Sequence, residues 1–293
     1  MIDNVVSRFL FEDLGPSCRD VSTLALGPAM NQRARGQVLF KSPGVICGLL
    51  LIEQVIQAIE QILVIKPCNS SKIEFRVQDG EDISRGSSVA IIDGPINVLL
   101  GAERTLLNLL QRLSGTATLT RQFVKAMQSS NCRILDTRKT TPGLRAWEKY
   151  AVRIGGGMNH RFGLYDMVLL KDNHITAMNG NIEKAVTQAK ALLGPSMKIE
   201  VETSDLQQVK EAVEAHADMI LLDNMSISNL EKSVQWVRKQ NPAILLEASG
   251  GITLETVSQV AATGVDFISV GALTHSAPAM DISMKITLPT KRR

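Results

Sequence analysis

The chain has 293 residues, 44% hydrophobic and 21% charged, which is typical of a globular protein with one large barrel or two domains. The 32 Lys and Arg residues outnumber the 29 Asp and Glu by only three, and basic residues do not alternate with aromatic ones, so a nucleic-acid partner is not expected. The four cysteines form no C-x-x-C pair, and MIDNVVSRFLFEDLG at the N-terminus resembles neither a signal peptide nor a membrane span. We therefore expect a cytoplasmic protein without structural zinc and without a membrane partner.

The first part of the chain predicts a small α+β domain. One amphipathic helix is predicted up to about Leu26, from apolar residues at helical spacing, with a turn at Gly15-Pro16-Ser17. Short strands are predicted at 35–41, 73–77 and 88–92, with a helix at 49–65. A long helix is then predicted from about 102 to 129, and Arg104 near its beginning has the pattern of an exposed helix residue.

After Cys132 the chain alternates regularly between strands and helices. Apolar strands are predicted at 133–136, 167–171, 198–202, 219–223, 244–248 and 267–270, and helices lie between the last five at 182–193, 206–215, 227–240 and 254–263. Continuous apolar strands separated by helices indicate a parallel sheet covered by helices. The sheet could be closed as a barrel or open and doubly wound.

Each of these strands is followed by residues suited to binding or catalysis. They are Arg138 and Lys139, then Lys171, Glu202, Asp223, the run Ser249-Gly250-Gly251, and Gly271. The carboxyl ends of parallel strands form the ligand-binding face in α/β proteins, so we expect these residues to converge. Any one of them alone would be an ordinary solvated turn residue.

The positive charge of the chain is concentrated in residues 136–174. This stretch has seven basic and four acidic residues, which leaves 32 − 7 = 25 basic and 29 − 4 = 25 acidic residues elsewhere. A confined cluster of this kind favours a site for an anionic small molecule. Arg145, Lys149 and Arg153, spaced four residues apart, are equally consistent with the solvated face of a helix.

The converging residues divide into three kinds of subsite. Arg138, Lys139, Arg161 and Lys171, with His160 nearby, suit carboxylates. Glu202 and Asp223 suit sugar hydroxyls or a magnesium ion. Ser249-Gly250-Gly251 and Gly271-Ala272 offer backbone N–H groups for a phosphate at the late strands.

Three motifs carry a resemblance to a known family. DTRKTTPGLRAWEKYAV, GGGMNHR and KDNH are similar to the signature of the quinolinate phosphoribosyltransferases, also called nicotinate-nucleotide pyrophosphorylases (carboxylating), and the similarity extends from about residue 12 to about 285. It implies an α/β fold, an incomplete parallel α/β barrel preceded by an N-terminal α/β sandwich domain. The expected domains are 1–114 (sandwich), 115–281 (catalytic barrel) and 282–293 (a C-terminal extension that leaves the barrel). Six strand signals fit this barrel better than an eight-stranded one.

The resemblance also implies an activity, the conversion of quinolinate and 5-phosphoribosyl 1-diphosphate (PRPP) to nicotinate mononucleotide, diphosphate and CO2 in NAD biosynthesis. It implies a homodimer in which Arg104 reaches the neighbouring subunit's site, and Mg²⁺ held by Glu202 and Asp223. Lys139, Lys171, Glu202 and Asp223 are the expected catalytic residues. The expected substrate-binding residues are Arg104, Thr137, Arg138, Lys139, His160, Arg161, Lys171, Glu202, Asp223, Ser249, Gly250, Gly251, Val270, Gly271, Ala272 and His275.

Three alternatives are open at this stage. A Schiff-base aldolase would use Lys171 as its nucleophile, but it needs an apolar lysine pocket, and Asp172 adjoins this lysine. A diverged, non-catalytic relative, as among molybdate-transport-associated proteins, would share the TRKT and GGG-x-x-HR features, and KDNH at 171–174 favours the enzyme. A nucleic-acid-binding protein would show steep salt dependence, which the small net charge disfavours.

Overall fold

The structure is a computed structural model that describes residues 3–127, 130–194 and 196–288. The chain divides into two compact units. The first comprises Met1–Leu119, Ala146–Gly155 and Ala277–Arg293, and the second comprises Thr120–Arg145 and Gly156–Ser276. No helix among the described residues has both the length and the apolar character needed to cross a membrane.

The first unit is built on a four-stranded antiparallel sheet in the order β12-β1-β5-β3, with a second two-stranded pair, β2-β4. In β1, the buried residues Ala34, Val38 and Phe40 alternate with more exposed residues, as expected for a strand with one buried face. The elements are α1 (Asp3–Leu14), α2 (Val21–Leu24), β1 (Arg33–Phe40), β2 (Gly44–Val45), α3 (Leu49–Ile62), β3 (Lys72–Phe75), β4 (Asp82–Ile83), β5 (Ser88–Pro95), most of α4 (Ile96–Ala126), α5 (Arg145–Ile154) and β12 (Ile282–Thr287).

The single N-terminal helix predicted up to Leu26 is wrong. Helix α1 ends at Leu14, because Gly15 adopts the left-handed conformation (φ +65°) and Pro16 follows. A separate short helix, α2, begins after Asp20, whose carboxylate accepts hydrogen bonds from the backbone of Ser22 and Thr23. The predicted turn at residues 15–17 thus interrupts the helix.

The end of the chain returns to the first unit. Strand β12 pairs with β1 in antiparallel register, from Ile282 opposite Phe40 to Thr287 opposite Arg35. Residues 282–287 of the expected C-terminal extension therefore complete the sheet of this unit. The basic residues Lys291–Arg293 lie outside the described residues.

The second unit contains a six-stranded parallel sheet in the order β6-β11-β10-β9-β8-β7. All six strands predicted from the sequence are present, and the α/β fold class is confirmed. Within the described residues β6 and β7 form the two ends of the sheet, so the barrel is incomplete. The elements are β6 (Arg133–Leu135), β7 (Val168–Leu170), α6 (Asp172–Ala177), α7 (Ile182–Leu193), β8 (Ile199–Thr203), α8 (Leu206–Glu214), β9 (Met219–Asp223), α9 (Ile227–Gln240), β10 (Leu245–Ser249), α10 (Val257–Ala262), β11 (Phe267–Ser269) and α11 (Ala272–His275).

The register of the strands separates an apolar face from a polar one. Val201, Leu222 and Leu246 belong to the face that is fully buried. Side chains alternate along a strand, so the intervening residues point to the opposite face. On that face Glu202 is paired with Leu221, and Asp223 is paired with Ser249. Glu202, Asp223 and Ser249 thus share one face of the sheet.

Candidate active site

Lys171, Glu202 and Asp223 lie together at the carboxyl ends of three neighbouring strands. Lys171 directly follows β7, and its Nζ atom is 3.3 Å from Oε2 of Glu202 on β8. Glu202 and Asp223 line one cleft of about 590 Å³ together with Asp172. Parallel strands separated by helices bring these residues, 52 positions apart in sequence, to one end of the sheet.

Arg138 and Arg161 are two further cations among the predicted site residues. Burial, and then the charge of Arg138, lowers the pKa of Arg161. Arg161 is anchored by a hydrogen bond from Nη1 to the carbonyl of Met167 (3.1 Å). It also borders a cavity of about 240 Å³ that extends to Met219 and Phe267, the first residues of β9 and β11. The guanidinium of Arg161 is therefore bonded at the amino end of β7, whereas Lys171 follows the carboxyl end of the same strand.

Arg145 connects the loops that carry these arginines. Its Nε donates to Oγ1 of Thr140 (3.0 Å) and its Nη1 donates to the carbonyl of Phe162 (3.3 Å). On the same helix Lys149 has only 2% of its surface exposed. The interpretation of Arg145, Lys149 and Arg153 as a solvated helix face is therefore wrong for Lys149, and Arg145 is bonded within the protein.

Glycines that follow β10 and β11 allow neighbouring side chains to lie close to the backbone. Gly250 has φ +96°, and a Cβ there would overlap the side-chain oxygen of Asn224. Asn224 donates from Nδ2 to Oδ2 of Asp223 (2.7 Å), so Gly250 makes room for the residue that orients this carboxylate. A Cβ at Gly271 would lie 3.1 Å from both Nε2 of His275 and Cδ of Lys139. The sequence did not predict Asn224 as a site residue, because its contact with Asp223 depends on the close packing of Gly250 against it.

The other predicted residues occupy supporting positions. Thr137 accepts a hydrogen bond at Oγ1 from the amide of Lys139 (3.0 Å), and the buried Val270 donates its amide to the carbonyl of Leu135 (3.0 Å). Ala272 begins α11, Ser249 ends β10, and Gly251 is exposed with φ +61°. Arg104 is exposed on α4 in the first unit, whereas the other predicted site residues belong to the second.

His160 contacts two buried carboxylates that the sequence did not predict. Its Nε2 is 2.9 Å from Oε2 of Glu200 and 3.4 Å from Oε2 of Glu247, and 0% and 1% of these glutamate side chains are exposed. Burial and then the charge of Glu247 raise the pKa of Glu200 to about 7. Burial opposes charge on His160, but the two carboxylates outweigh it and raise the pKa of the imidazole. The hydrogen bond from the Arg161 amide to Nδ1 (2.7 Å) works the other way, because it exists only in the neutral ring.

Two groups of side chains have the chemistry of a cation site. Glu202 and Asp223 present carboxylate oxygens to the cleft, which suits a hard, hydrated ion such as Mg²⁺. The ligand atoms of His160, Glu200 and Glu247 lie within 4.8 Å of one another in the interior. The cleft pair fits a metal shared with a phosphorylated ligand, since it faces the space that a ligand would occupy.

Fold and site together define an incomplete α/β barrel enzyme that binds small, phosphorylated, anionic molecules at the carboxyl ends of its strands. The family model described as the quinolinate phosphoribosyl transferase C-terminal domain matches residues 116–285, and the model of the N-terminal domain matches residues 20–114. The chain belongs to the quinolinate phosphoribosyl transferase family. The family predicted from the sequence motifs is thereby confirmed.

Curated relatives cover almost the whole chain. A probable nicotinate-nucleotide pyrophosphorylase [carboxylating] of Synechocystis is 42% identical over 286 residues, covering 98% of this chain and 92% of the relative. One of Bacillus subtilis is 41% identical over 288 residues, covering 98% and 94%. The solved nicotinate-nucleotide pyrophosphorylase of Ehrlichia chaffeensis superposes with a TM-score of 0.89 at 36% identity, covering 98% of this chain and 99% of that one. That of Francisella tularensis has a TM-score of 0.86 at 35% identity, covering 97% of each chain.

Proposed function

We propose that this chain transfers the phosphoribosyl group of PRPP to quinolinate and releases nicotinate mononucleotide, diphosphate and CO2, a step of NAD biosynthesis. Membership of the family supports the reaction. The structural observation that carries the proposal is the placement of Lys171, Glu202 and Asp223 at one end of the strands. A dianionic acceptor and a phosphorylated sugar donor together require such a set of cations and carboxylates.

The acceptor subsite is assigned to the cations. Arg138, Lys139, His160, Arg161 and Lys171 would bind the two carboxylates of quinolinate. The lowered pKa of Arg161, caused by burial and then by the charge of Arg138, supports this assignment, because a bound dianion would favour the charged form of Arg161. Arginine offers two parallel donors to a carboxylate, and lysine a mobile point charge.

The donor subsite is assigned to the carboxylates and glycines. Glu202 and Asp223 would hold the ribose hydroxyls, with Thr137 nearby in the loop after β6. Backbone amides of Gly250, Gly251 and Gly271 would bind the 5-phosphate, with Ser249, Val270, Ala272 and His275 around them. The assignment is supported by the lack of a side chain at both glycines, since a Cβ at Gly250 would overlap Asn224 and one at Gly271 would lie 3.1 Å from His275 and Lys139.

The protein would catalyse this reaction mainly by positioning the substrates and by electrostatic stabilisation. As diphosphate departs, positive charge develops on the ribose ring, and the carboxylates of Glu202 and Asp223 face that charge. The pyridine nitrogen then attacks the anomeric carbon, and the pyridinium formed stabilises the ring carbanion left when the neighbouring carboxylate departs as CO2. A proton from solvent adds to this carbon and completes the product. Lys139 and Lys171 hold the anionic groups in place. Mg²⁺ held by Glu202 and Asp223 would neutralise the departing diphosphate.

The alternative of a Schiff-base aldolase is disfavoured by the surroundings of Lys171. Its Nζ pairs with Glu202 at 3.3 Å, and 46% of the side chain is exposed. A Schiff-base lysine needs an environment that destabilises the ammonium form, whereas a neighbouring carboxylate stabilises it. A non-catalytic relative would bind quinolinate without forming product.

The test is incubation with quinolinate, PRPP and Mg²⁺, following nicotinate mononucleotide by chromatography and CO2 from labelled quinolinate. We expect both products in equal amounts, with none when PRPP is left out. Binding of quinolinate without turnover would favour the non-catalytic relative. A borohydride-trapped adduct at Lys171 with a carbonyl substrate would favour the aldolase.

We also propose a cytoplasmic homodimer in which Arg104 completes the neighbouring subunit's acceptor subsite. The exposure of Arg104 on α4 and the four free cysteines support these assignments. If Arg104 acts across the interface, mixing inactive Arg104→Ala and Lys171→Ala proteins should restore about a quarter of the wild-type rate, because half the dimers are mixed and each has one intact site. No recovery after subunit exchange would contradict the cross-subunit role.

The functional division of the chain is proposed to fall near residue 114, where the two family models meet. Accordingly, 1–114 would form the sandwich domain, 115–281 the barrel, and 282–293 the extension. Chimeras that exchange residues 1–114 with a relative should fold if this boundary is correct.

A further inference from the structure

The segment 159–161, which carries His160 and Arg161, is held by three buried carboxylates. Asp136 follows β6, Glu200 lies in β8 and Glu247 lies in β10, and at most 1% of each residue is exposed. None of the three belongs to the acceptor or donor subsites described above. Their contacts all converge on the same short segment.

Asp136 binds the backbone of the segment. Its Oδ1 accepts the amide N–H of His160 at 2.9 Å, and its Oδ2 accepts the side-chain Nδ2–H of Asn159 at 2.5 Å. The amide of Asp136 in turn donates to the carbonyl of Met158 (3.1 Å). One carboxylate therefore fixes the position of the chain immediately before Arg161.

Glu200 and Glu247 bind the ring of His160. The ring has 8% of its surface exposed, with Nε2 facing the two carboxylates and Nδ1 accepting the amide N–H of Arg161 at 2.7 Å. Both nitrogens are thus engaged, one with the barrel strands and the other with the residue that bears the guanidinium. Turning the ring would break both contacts at once, so the carboxylates determine the orientation of the ring.

Burial of these carboxylates lowers the stability of the folded protein. Oε1 of Glu200 and both carboxylate oxygens of Glu247 are buried without a hydrogen-bond partner among the described residues. Two neighbouring carboxylates in an interior are costly unless they are paired, and apolar residues of the same size would cost less. Sites that sacrifice stability in this way are those at which function requires the arrangement.

We propose that Asp136, Glu200 and Glu247 are positioning residues of the acceptor subsite. They hold His160, and through the hydrogen bond from the Arg161 amide they hold the segment that carries the guanidinium of Arg161. The dicarboxylate then meets these two residues already in place, which lowers the cost of ordering them on binding. This inference rests on the proposed function, because it assigns His160 and Arg161 to the acceptor.

Glu200 is the position to change, because its Oε2 lies 2.9 Å from Nε2 of His160 and makes the hydrogen bond to the ring. Glu200→Leu removes the acceptor with little change in size, and Glu200→Gln keeps a side-chain oxygen. We expect Glu200→Leu to raise KM for quinolinate roughly tenfold or more, which is the effect of losing one hydrogen bond to a charged group. KM for PRPP should stay within about twofold, since Glu200 is not assigned to the donor subsite, and Glu200→Gln should recover most of the loss.

Asp266→Asn is the matched control. Asp266 is another carboxylate of the same sheet, and its Oδ2 accepts the amide of Leu246 (2.7 Å) and pairs with Arg238 (2.7 Å). Its loss should lower the melting temperature without changing KM for quinolinate. Equal increases of both KM values in Glu200→Leu, or a quinolinate effect as large in Asp266→Asn, would show a structural role and overturn the proposal.

Two measurements independent of activity complete the test. In long-range ¹H–¹⁵N spectra the Nε2 proton of His160 should be protected from exchange in the wild type and lose that protection in Glu200→Leu. If the wild type forms no nicotinate mononucleotide, the proposed function fails, whereas a protected Nε2 proton would still support the positioning contact. An unprotected proton in the wild type, or a stoichiometric metal ion that copurifies and is lost in Glu200→Gln, would overturn the inference, because Glu200 would then not accept this hydrogen bond.

Discussion

Replacing Lys171 with alanine separates catalysis from stability, because Lys198 offers a comparable ion pair. Lys171 follows β7, and its Nζ is 3.3 Å from Glu202 on β8, whereas Lys198 precedes β8, and its Nζ is 3.2 Å from Asp218, which precedes β9. Both lysines pair with one carboxylate, and 46% and 74% of their side chains are exposed. Of the two lysines, only Lys171 pairs with a residue assigned to a substrate.

The structure gives the expected size of each effect. Exposed ion pairs contribute roughly 0–1 kcal/mol to stability, so Lys171→Ala and Lys198→Ala should both unfold within about 1 kcal/mol of the wild type. Removal of one preorganised charge at the reacting centre, by contrast, typically lowers the rate about 10²–10³-fold. We therefore expect Lys171→Ala to lower kcat/KM by about a hundredfold or more, and Lys198→Ala to leave it unchanged.

The assay is initial-rate formation of nicotinate mononucleotide at saturating PRPP and Mg²⁺, alongside urea unfolding of each variant. A near-normal rate in Lys171→Ala would refute its assignment to the site. Equal loss of activity in both lysine variants would also refute it, since the effect would then not depend on the end of the barrel. Arg138→Ala should behave like Lys171→Ala in the same assay.

Three further predictions concern the donor loop, a buried ion pair and the thiols. Gly250→Ala should raise KM for PRPP about tenfold, because a Cβ would displace Asn224 from Asp223 and alanine is strained at the backbone angle φ +96°. Unchanged kinetics with PRPP would contradict the proposed phosphate loop. Glu148→Ala should lower the unfolding free energy by roughly 3 kcal/mol, because it removes a carboxylate that is 0% exposed and bonded to Arg112 (2.9 Å), as urea denaturation would show. Burial raises the pKa of Cys132 to about 12, so iodoacetamide should label this thiol far more slowly than the exposed Cys68 at pH 8. The labelling rate of Cys132 should rise as the pH approaches 12 in the folded protein. Equal labelling rates of the two cysteines at pH 8 would contradict this prediction.

Local patterns in the sequence determined the secondary structure of the second unit. Each of its six strands contains apolar residues in a short run or at alternate positions, which is a property of neighbouring residues alone. Strand-end position also placed Lys171, Glu202 and Asp223 at one face, because parallel strands share a direction. The family followed from contiguous motifs, and the comparisons confirmed it.

The tertiary structure alone decided the features that depend on distant residues. Asp136, Glu200 and Glu247 resemble ordinary strand residues in the sequence, and only the register of the barrel brings the last two to His160. Strand β12 joins β1 across more than two hundred residues, and helix α5, although it lies between β6 and β7 in sequence, packs in the first unit. Short-range periodicity reports which face of an element is apolar, but which partner covers that face is decided by packing the whole chain.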